Sequence, residues 1–245
     1  MQATAPRTAS RHLAFALVAI DEMSSIQKES MYTLYYAPNT ASMVVHLALL
    51  EAQAAYQLEK VDFSIRAQKD PAYLALNPQG VVPTLVHEGV AYQETPAILM
   101  LLAEHFPDAG LMPAAGSVAH ARCREWLFYL SHNLHATYRL WFYPETLGFS
   151  DYPSGLKEDL QTRMAGFWDF LEAHLQKNGP YLCGDQLSLA DFYLTVLMRW
   201  SRHMPRPATG WPALQQLAAR VAQRPSWQLM CERESPEPWH PGAPA

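Results

Sequence analysis

One break in periodicity constrains the fold of this chain more than any other feature. Up to Phe106, short aromatic and β-branched runs alternate with apolar residues at helical spacing. After the Pro-, Ala- and Gly-rich segment 107–116, helical spacing alone remains. This pattern predicts a small α/β domain over 31–110 followed by an all-α helical domain over 117–232. In the first part, Tyr32 to Tyr36 reads as a strand halted by Pro38 and Asn39, and Val44, Leu47, Ala48 and Leu50 mark a helix ending at Glu51. Tyr56 to Phe63 and Val82 to Val86 predict further strands. The turn His87-Glu88-Gly89 leads into a strand ending near Gln93, and Thr95 and Pro96 open a helix to Phe106. The order is β-α-β, then β-β-α. In the second part, Trp126, Leu127, Leu130, Leu134, Tyr138 and Trp141 mark one face of a long helix. Leu156 to Leu175 marks another, stopped by Asn178-Gly179-Pro180, and Ser188 to Trp200 and Pro212 to Arg224 are two more. Residues 233–245, with four prolines in the last eleven, read as a flexible tail.

Hydrophobic residues make up 49% of the 245 and charged ones 17%, enough to support a core. The net charge of −5, with basic residues scattered, gives no footprint for nucleic acid. No apolar run approaches the ~20 residues that cross a bilayer, so no membrane partner is expected. Three distant cysteines without a CxxC argue against a disulfide framework and point to a cytoplasmic protein. His132 and His135 share a helix face but have no third ligand, so no metal is expected. Residues 1–30 carry Arg7 and Arg11 before the apolar stretch Leu13 to Ile20. Asp21, Glu22 and Met23 then stand where a signal peptide needs small residues, so the segment reads as an unstructured extension or an overlong reading frame.

Three stretches carry chemistry. In Asn77-Pro78-Gln79-Gly80-Val81-Val82-Pro83-Thr84-Leu85, Pro83 stands where a strand should begin. A trans proline is the commoner arrangement; a cis Val82-Pro83 bond would expose the Val82 backbone to an extended peptide ligand. In Glu94-Thr95-Pro96, Thr95 suits an N-cap and Pro96 the first helical position. Such a helix start can simply be capped, or it can receive a carboxylate while Glu94 pairs with an ammonium group. Leu187-Ser188-Leu189-Ala190-Asp191-Phe192 is a structural motif: a capping box between Ser188 and Asp191, which gives Asp191 no catalytic role.

In this order the three stretches resemble the soluble glutathione S-transferase family, most nearly its bacterial beta class. The resemblance spans 31 to about 232 and rests on Tyr35-Tyr36-Ala37-Pro38, Asn77-Pro78-Gln79-Gly80, Val82-Pro83, Glu94-Thr95-Pro96-Ala97-Ile98 and Ala190-Asp191-Phe192-Tyr193-Leu194, with Val221-Ala222-Gln223-Arg224-Pro225 as the last segment. It implies a thioredoxin-like N-terminal domain, a helical C-terminal domain and a homodimer. It also implies glutathione as co-substrate and a small hydrophobic electrophile as its partner. Pro83 would be cis, Val82 would bond the cysteinyl part of glutathione, Glu94 and Thr95 its γ-glutamyl end, and Arg66 its glycine carboxylate. His135 and Trp200 would face the sulfur and the electrophile pocket. The aromatic stretch Tyr138, Trp141, Phe142 and Tyr143 is a pattern more often found in a core; following His135 directly, it can instead line that pocket.

The chain also departs from the beta class. Its cysteine-serine pair is here Ala41-Ser42, and the lysine after His135 is Ala136. Without that cysteine, a hydroxyl donor together with the helix start near residue 42 could ionise the glutathione thiol, with backbone N–H groups or His135 as the alternative. Ser42 is the first candidate, Thr40 the second and Tyr36 the third, although Ser42 and Thr40 equally suit capping of the first helix. The expected activity is conjugation. A non-catalytic binding protein and a glutathione-dependent reductase or peroxidase are the alternatives.

Overall fold

The computed structural model describes residues 31–242, and the expectation for 1–30 lies outside them. The first domain is built on a four-stranded sheet ordered β2-β1-β3-β4. Strand β1 (Tyr32–Tyr36) runs parallel to β2 (Tyr56–Lys60) and antiparallel to β3 (Thr84–His87), which pairs antiparallel with β4 (Val90–Tyr92). Its alternation turns Tyr32, Leu34 and Tyr36 into the core, and Leu34 lies in register with Leu58 on one side and Leu85 on the other. Helix α1 (Ser42–Glu51) buries eight consecutive residues, so it is covered on nearly all sides.

Three local features differ from the sequence reading. Strand β2 stops at Lys60, because the Asp62 carboxylate accepts from Ser64 N–H at 2.9 Å and starts a 3₁₀ turn at Phe63–Ile65. A six-residue helix, α2 (Pro71–Leu76), occupies a stretch with too little periodicity to announce it. Helix α3 (Thr95–His105) has Glu94, not Thr95, at its N-cap position, and the Glu94 side chain makes no capping bond. Glu94 has φ 66° and ψ 111°, which turns the chain sharply and places Thr95 and Pro96 inside the first turn.

The second domain holds α4 (Val118–Tyr129), a π-helical segment Leu130–His135, α5 (Ala136–Phe142), α6 (Leu156–Asn178), α7 (Leu189–Trp200), α8 (Pro212–Ala222) and α9 (Pro225–Glu234). The expected long helix is therefore α4, the π segment and α5 in succession. Helix α7 is its central rod, buried from Leu189 to Arg199. At its start the Asp191 carboxylate accepts from the backbone N–H of Ser188 and Leu182, each at 2.8 Å, completing the capping box.

Residues 233–242 also depart from the expected flexible tail, whose last three residues lie outside the described ones. Arg233 and Glu234 belong to α9, Trp239 packs its ring 5.8 Å from that of Trp227, and Glu237 pairs with Arg202. Its prolines keep this segment out of helix and strand, while its tryptophan and carboxylate find distant partners that composition does not reveal. A buried pair ties the domains together: His46 Nδ1 on α1 lies 2.7 Å from Glu234 Oε1 on α9. Burial holds the Glu234 carboxyl above its ordinary range, against the lowering effect of His46.

Candidate active site

A cavity of about 490 Å³ opens between the two domains. On one side lie the loop after β1 (Asn39, Thr40, Ala41), the turn at Gln68 and Lys69, and Gly80 to Val82. His135, Tyr138, Arg139, Trp141, Phe142 and Trp200 form the other.

The Val82–Pro83 bond is cis. Its approach is rigidly braced. Asn77, fully buried, donates from Nδ2 to the Val81 carbonyl at 2.9 Å and to Thr84 Oγ1 at 3.0 Å. The Tyr73 hydroxyl, delivered by α2, donates to the same Val81 carbonyl at 2.6 Å. Val82 itself lines the cavity, and no hydrogen bond among the described residues occupies its N–H or C=O. Gly80 has φ +63°, and a Cβ there would stand 2.6 Å from the Gln68 carbonyl oxygen, so the turn packs directly on the 67–69 segment.

The hydroxyl candidates separate clearly. Thr40 lines the cavity, and its Oγ1 donates to the Ala37 carbonyl at 2.7 Å. Ser42 lies behind it, fully buried, with its Oγ 2.8 Å from Thr40 Oγ1 and 3.1 Å from the Ala37 carbonyl oxygen. Thr40 Oγ1 also accepts from the Ser42 N–H at 3.3 Å, so Thr40 caps the start of α1, as its alternative role foresaw, while facing the cavity. Tyr36 points into the core, where burial raises its phenol, and it does not line the cavity.

Arg66 is exposed with φ 60° and does not reach the cavity wall; Lys69, three residues later, does. A single left-handed residue separates two short 3₁₀ turns here, which reassigns which basic side chain faces inward. Glu94 is exposed at the start of α3, with the Gln79 side-chain amide 3.4 Å from its Oε1, and Thr95 is buried beside it.

His135 closes the π-helical segment. Its Nδ1 is 2.6 Å from the Tyr193 hydroxyl, and its ring stands edge-on to Trp200 at 5.0 Å. Burial, and then the Arg139 charge, bring its imidazole down to about 4, so it is neutral at pH 7. Burial also pushes the Tyr193 phenol up. Tyr138 packs edge-on to Trp200 at 5.4 Å and parallel to Phe142 at 5.8 Å, forming a continuous aromatic wall. His132 is exposed and bonds its own helix at the Phe128 carbonyl. Sequence reasoning missed Tyr73, Lys69, Arg139 and the pair Asn39–Arg199. A signal for the first was available: Asp70-Pro71 is a sound helix start.

Two domain models span most of the described chain: glutathione S-transferase N-terminal domain over residues 32–110 and C-terminal domain over 132–228. Glutathione S-transferase GST-4.5 of Xanthomonas campestris is 30% identical over 189 residues, covering 77% of this chain and 91% of that protein.

The chain belongs to the glutathione S-transferase family.

Solved structures agree. A bacterial beta-class glutathione S-transferase of Sphingomonas chungbukensis is similar at TM-score 0.73 and 30% identity, covering 82% of this chain and 98% of the other. A glutathione transferase homologue from Sulfitobacter, with bound glutathione, is similar at TM-score 0.74 and 31% identity over 83% of this chain and 98% of that one. The thioredoxin-like sheet and the helical second domain are those of the family.

Proposed function

We propose that this glutathione transferase binds glutathione along the first domain and joins its sulfur to an apolar electrophile held by the second. The observation that carries this reading is the position of Thr40 and the cis Val82–Pro83 turn on one wall of a cavity whose opposite wall is aromatic. The Val82 backbone pairs with the cysteinyl part as an added strand would. The Glu94 carboxylate takes the α-ammonium of the γ-glutamyl end, and the start of α3 at Thr95 takes its carboxylate. Lys69, and not Arg66, meets the glycine carboxylate.

The reaction requires the thiolate, because the thiol is a weak nucleophile. Lowering a thiol from about 8.5 by about two units takes roughly 2.7 kcal/mol of differential stabilisation. Thr40 turns its hydroxyl from the Ala37 carbonyl toward the sulfur, and Ser42 behind it takes over the bond to Ala37. The N-terminal end of α1 adds its dipole. His135 is neutral and serves as a hydrogen-bonding group beside the sulfur. Phe142 and Trp200 hold the electrophile, with Tyr138, which is completely buried, packed behind them, and Arg139 stands at its edge.

One observation favours a non-catalytic binding protein: Thr40 already gives its single hydroxyl proton to the Ala37 carbonyl. Calorimetric titration with glutathione, followed by mass analysis after adding an activated aryl halide, separates the readings. Binding with a conjugate supports the transferase; binding without one supports the carrier. A homodimer is supported by Phe128 on α4 and Phe170 on α6, both about half exposed; light scattering at micromolar concentration tests it. Three free cysteines support a cytoplasmic location.

A further inference from the structure

We propose that Arg199, Asn39 and the C-terminal segment around Glu237 form a positioning unit that fixes the sulfur-facing loop 37–41. The proposal rests on the transferase reading above. Arg199 closes α7 and is 1% exposed. Its Nη2 donates to Asn39 Oδ1 at 2.6 Å and also to the Glu237 carbonyl. The Glu237 N–H donates at 3.1 Å to the same Asn39 oxygen, so one side-chain acceptor is held from two directions. The Glu237 carboxylate in turn pairs with Arg202 and lies 3.3 Å from His203. Asn39, Arg202 and His203 all line the cavity.

The geometry matters because Asn39 is the residue before Thr40 and holds φ +67°, a left-handed conformation that costs energy for a non-glycine residue. That turn aims Thr40 at the cavity. Three distant segments converge on it: the loop after β1, the end of the central helix and the chain terminus. Burial brings the Arg199 guanidinium down to about 10, and its Nη1 has no hydrogen-bond partner among the described residues. A buried cation bonded to an amide oxygen and a carbonyl is a poor way to gain stability, since an apolar side chain of like volume fills the same space at less cost. Its return is geometric: it locks Asn39. Arg199 and Asn39 are positioning residues; neither is assigned contact with the sulfur.

The test compares full-length wild type with Asn39→Gly, Asn39→Asp and Glu237→Gln, reading the thiolate absorbance of bound glutathione against pH. Asn39→Gly tolerates the left-handed turn but loses the acceptor; Asn39→Asp keeps an acceptor for Arg199. The expected result is a bound-thiol pKa raised by about one unit in Asn39→Gly, a tenfold loss of thiolate in the limit. KM for glutathione should rise by only about threefold at pH 7, the part that follows from the lost thiolate, because Val82 and Glu94 are untouched. Asn39→Asp should stay near wild type, and Glu237→Gln should shift in the same direction by less. A wild-type band with Asn39→Gly unchanged, Asn39→Asp as impaired as Asn39→Gly, or Glu237→Gln unmoved overturns this inference alone. A wild type with no thiolate band at any pH overturns the transferase reading and this inference with it.

Discussion

Thr40 and Ser42 share a hydrogen bond of 2.8 Å between their hydroxyl oxygens, yet Thr40 lines the cavity and Ser42 is sealed behind it. On the proposed reading Thr40, and not Ser42, is the hydroxyl that meets the sulfur. Thr40→Ala should lower conjugation at pH 7 by about ten- to a hundredfold, the effect of losing one charge-assisted hydrogen bond worth ~1.5–3 kcal/mol. Ser42→Ala should cost less than tenfold, and Tyr36→Phe should leave kcat/KM unchanged. Steady-state kinetics on the three variants decide it; a larger loss in Ser42→Ala restores the original order.

Binding should depend on the start of α3. Glu94→Ala should weaken glutathione binding by about tenfold or more, since it removes a charged partner worth ~1.5–3 kcal/mol when its ammonium is held. Thr95→Ala should weaken it less. Equal affinity in wild type and both variants, measured by calorimetry, would remove this end of the site.

Asp191 is a stability residue. Asp191→Ala leaves the N–H groups of Leu182 and Ser188 without their acceptor in a buried helix start. At ~1–3 kcal/mol for each unsatisfied donor, the loss should reach about 3 kcal/mol or more. Thermal unfolding should show a fall of several degrees, while kcat/KM per folded molecule at low temperature stays at the wild-type value.

His135 should make its own contribution to the pH dependence of stability. Its folded value of about 4 lies below the ordinary 6.5, so the unfolded chain binds the extra proton between these limits. Stability from this group is complete above pH ~6.5 and falls as pH drops toward 4, by at most about 3 kcal/mol. The loss relative to His135→Gln should appear in denaturant titrations across that window. Parallel pH profiles for the two proteins would mean the imidazole titrates normally.

The sheet and the helical domain were legible because each rests on local pattern: alternation in Tyr32–Tyr36 and four-residue recurrence in Leu130, Leu134 and Tyr138. The cis Val82–Pro83 bond was not: the residues alone favoured trans, and only the family resemblance pointed to cis. Nor was the placement of single side chains. Whether Arg66 or Lys69 faces the cavity turns on one left-handed residue between two 3₁₀ turns. Whether Ser42 or Thr40 faces it depends on the left-handed Asn39, which is held by Arg199 from 160 positions away. The order of the Glu237 segment likewise comes from Arg199 at the end of α7 and Arg202 just beyond it, which no reading of its prolines could supply. Long-range hydrogen bonds fix the details that local periodicity leaves open.

The most direct measurement is the thiolate absorbance of glutathione bound to the wild-type protein, followed from pH 5 to pH 9. With Thr40 and the start of α1 acting on the sulfur, the bound thiol should ionise with an apparent pKa near 6.5, about two units below the ~8.5 of a free thiol. A bound thiol that ionises near 8.5 would contradict activation at this site.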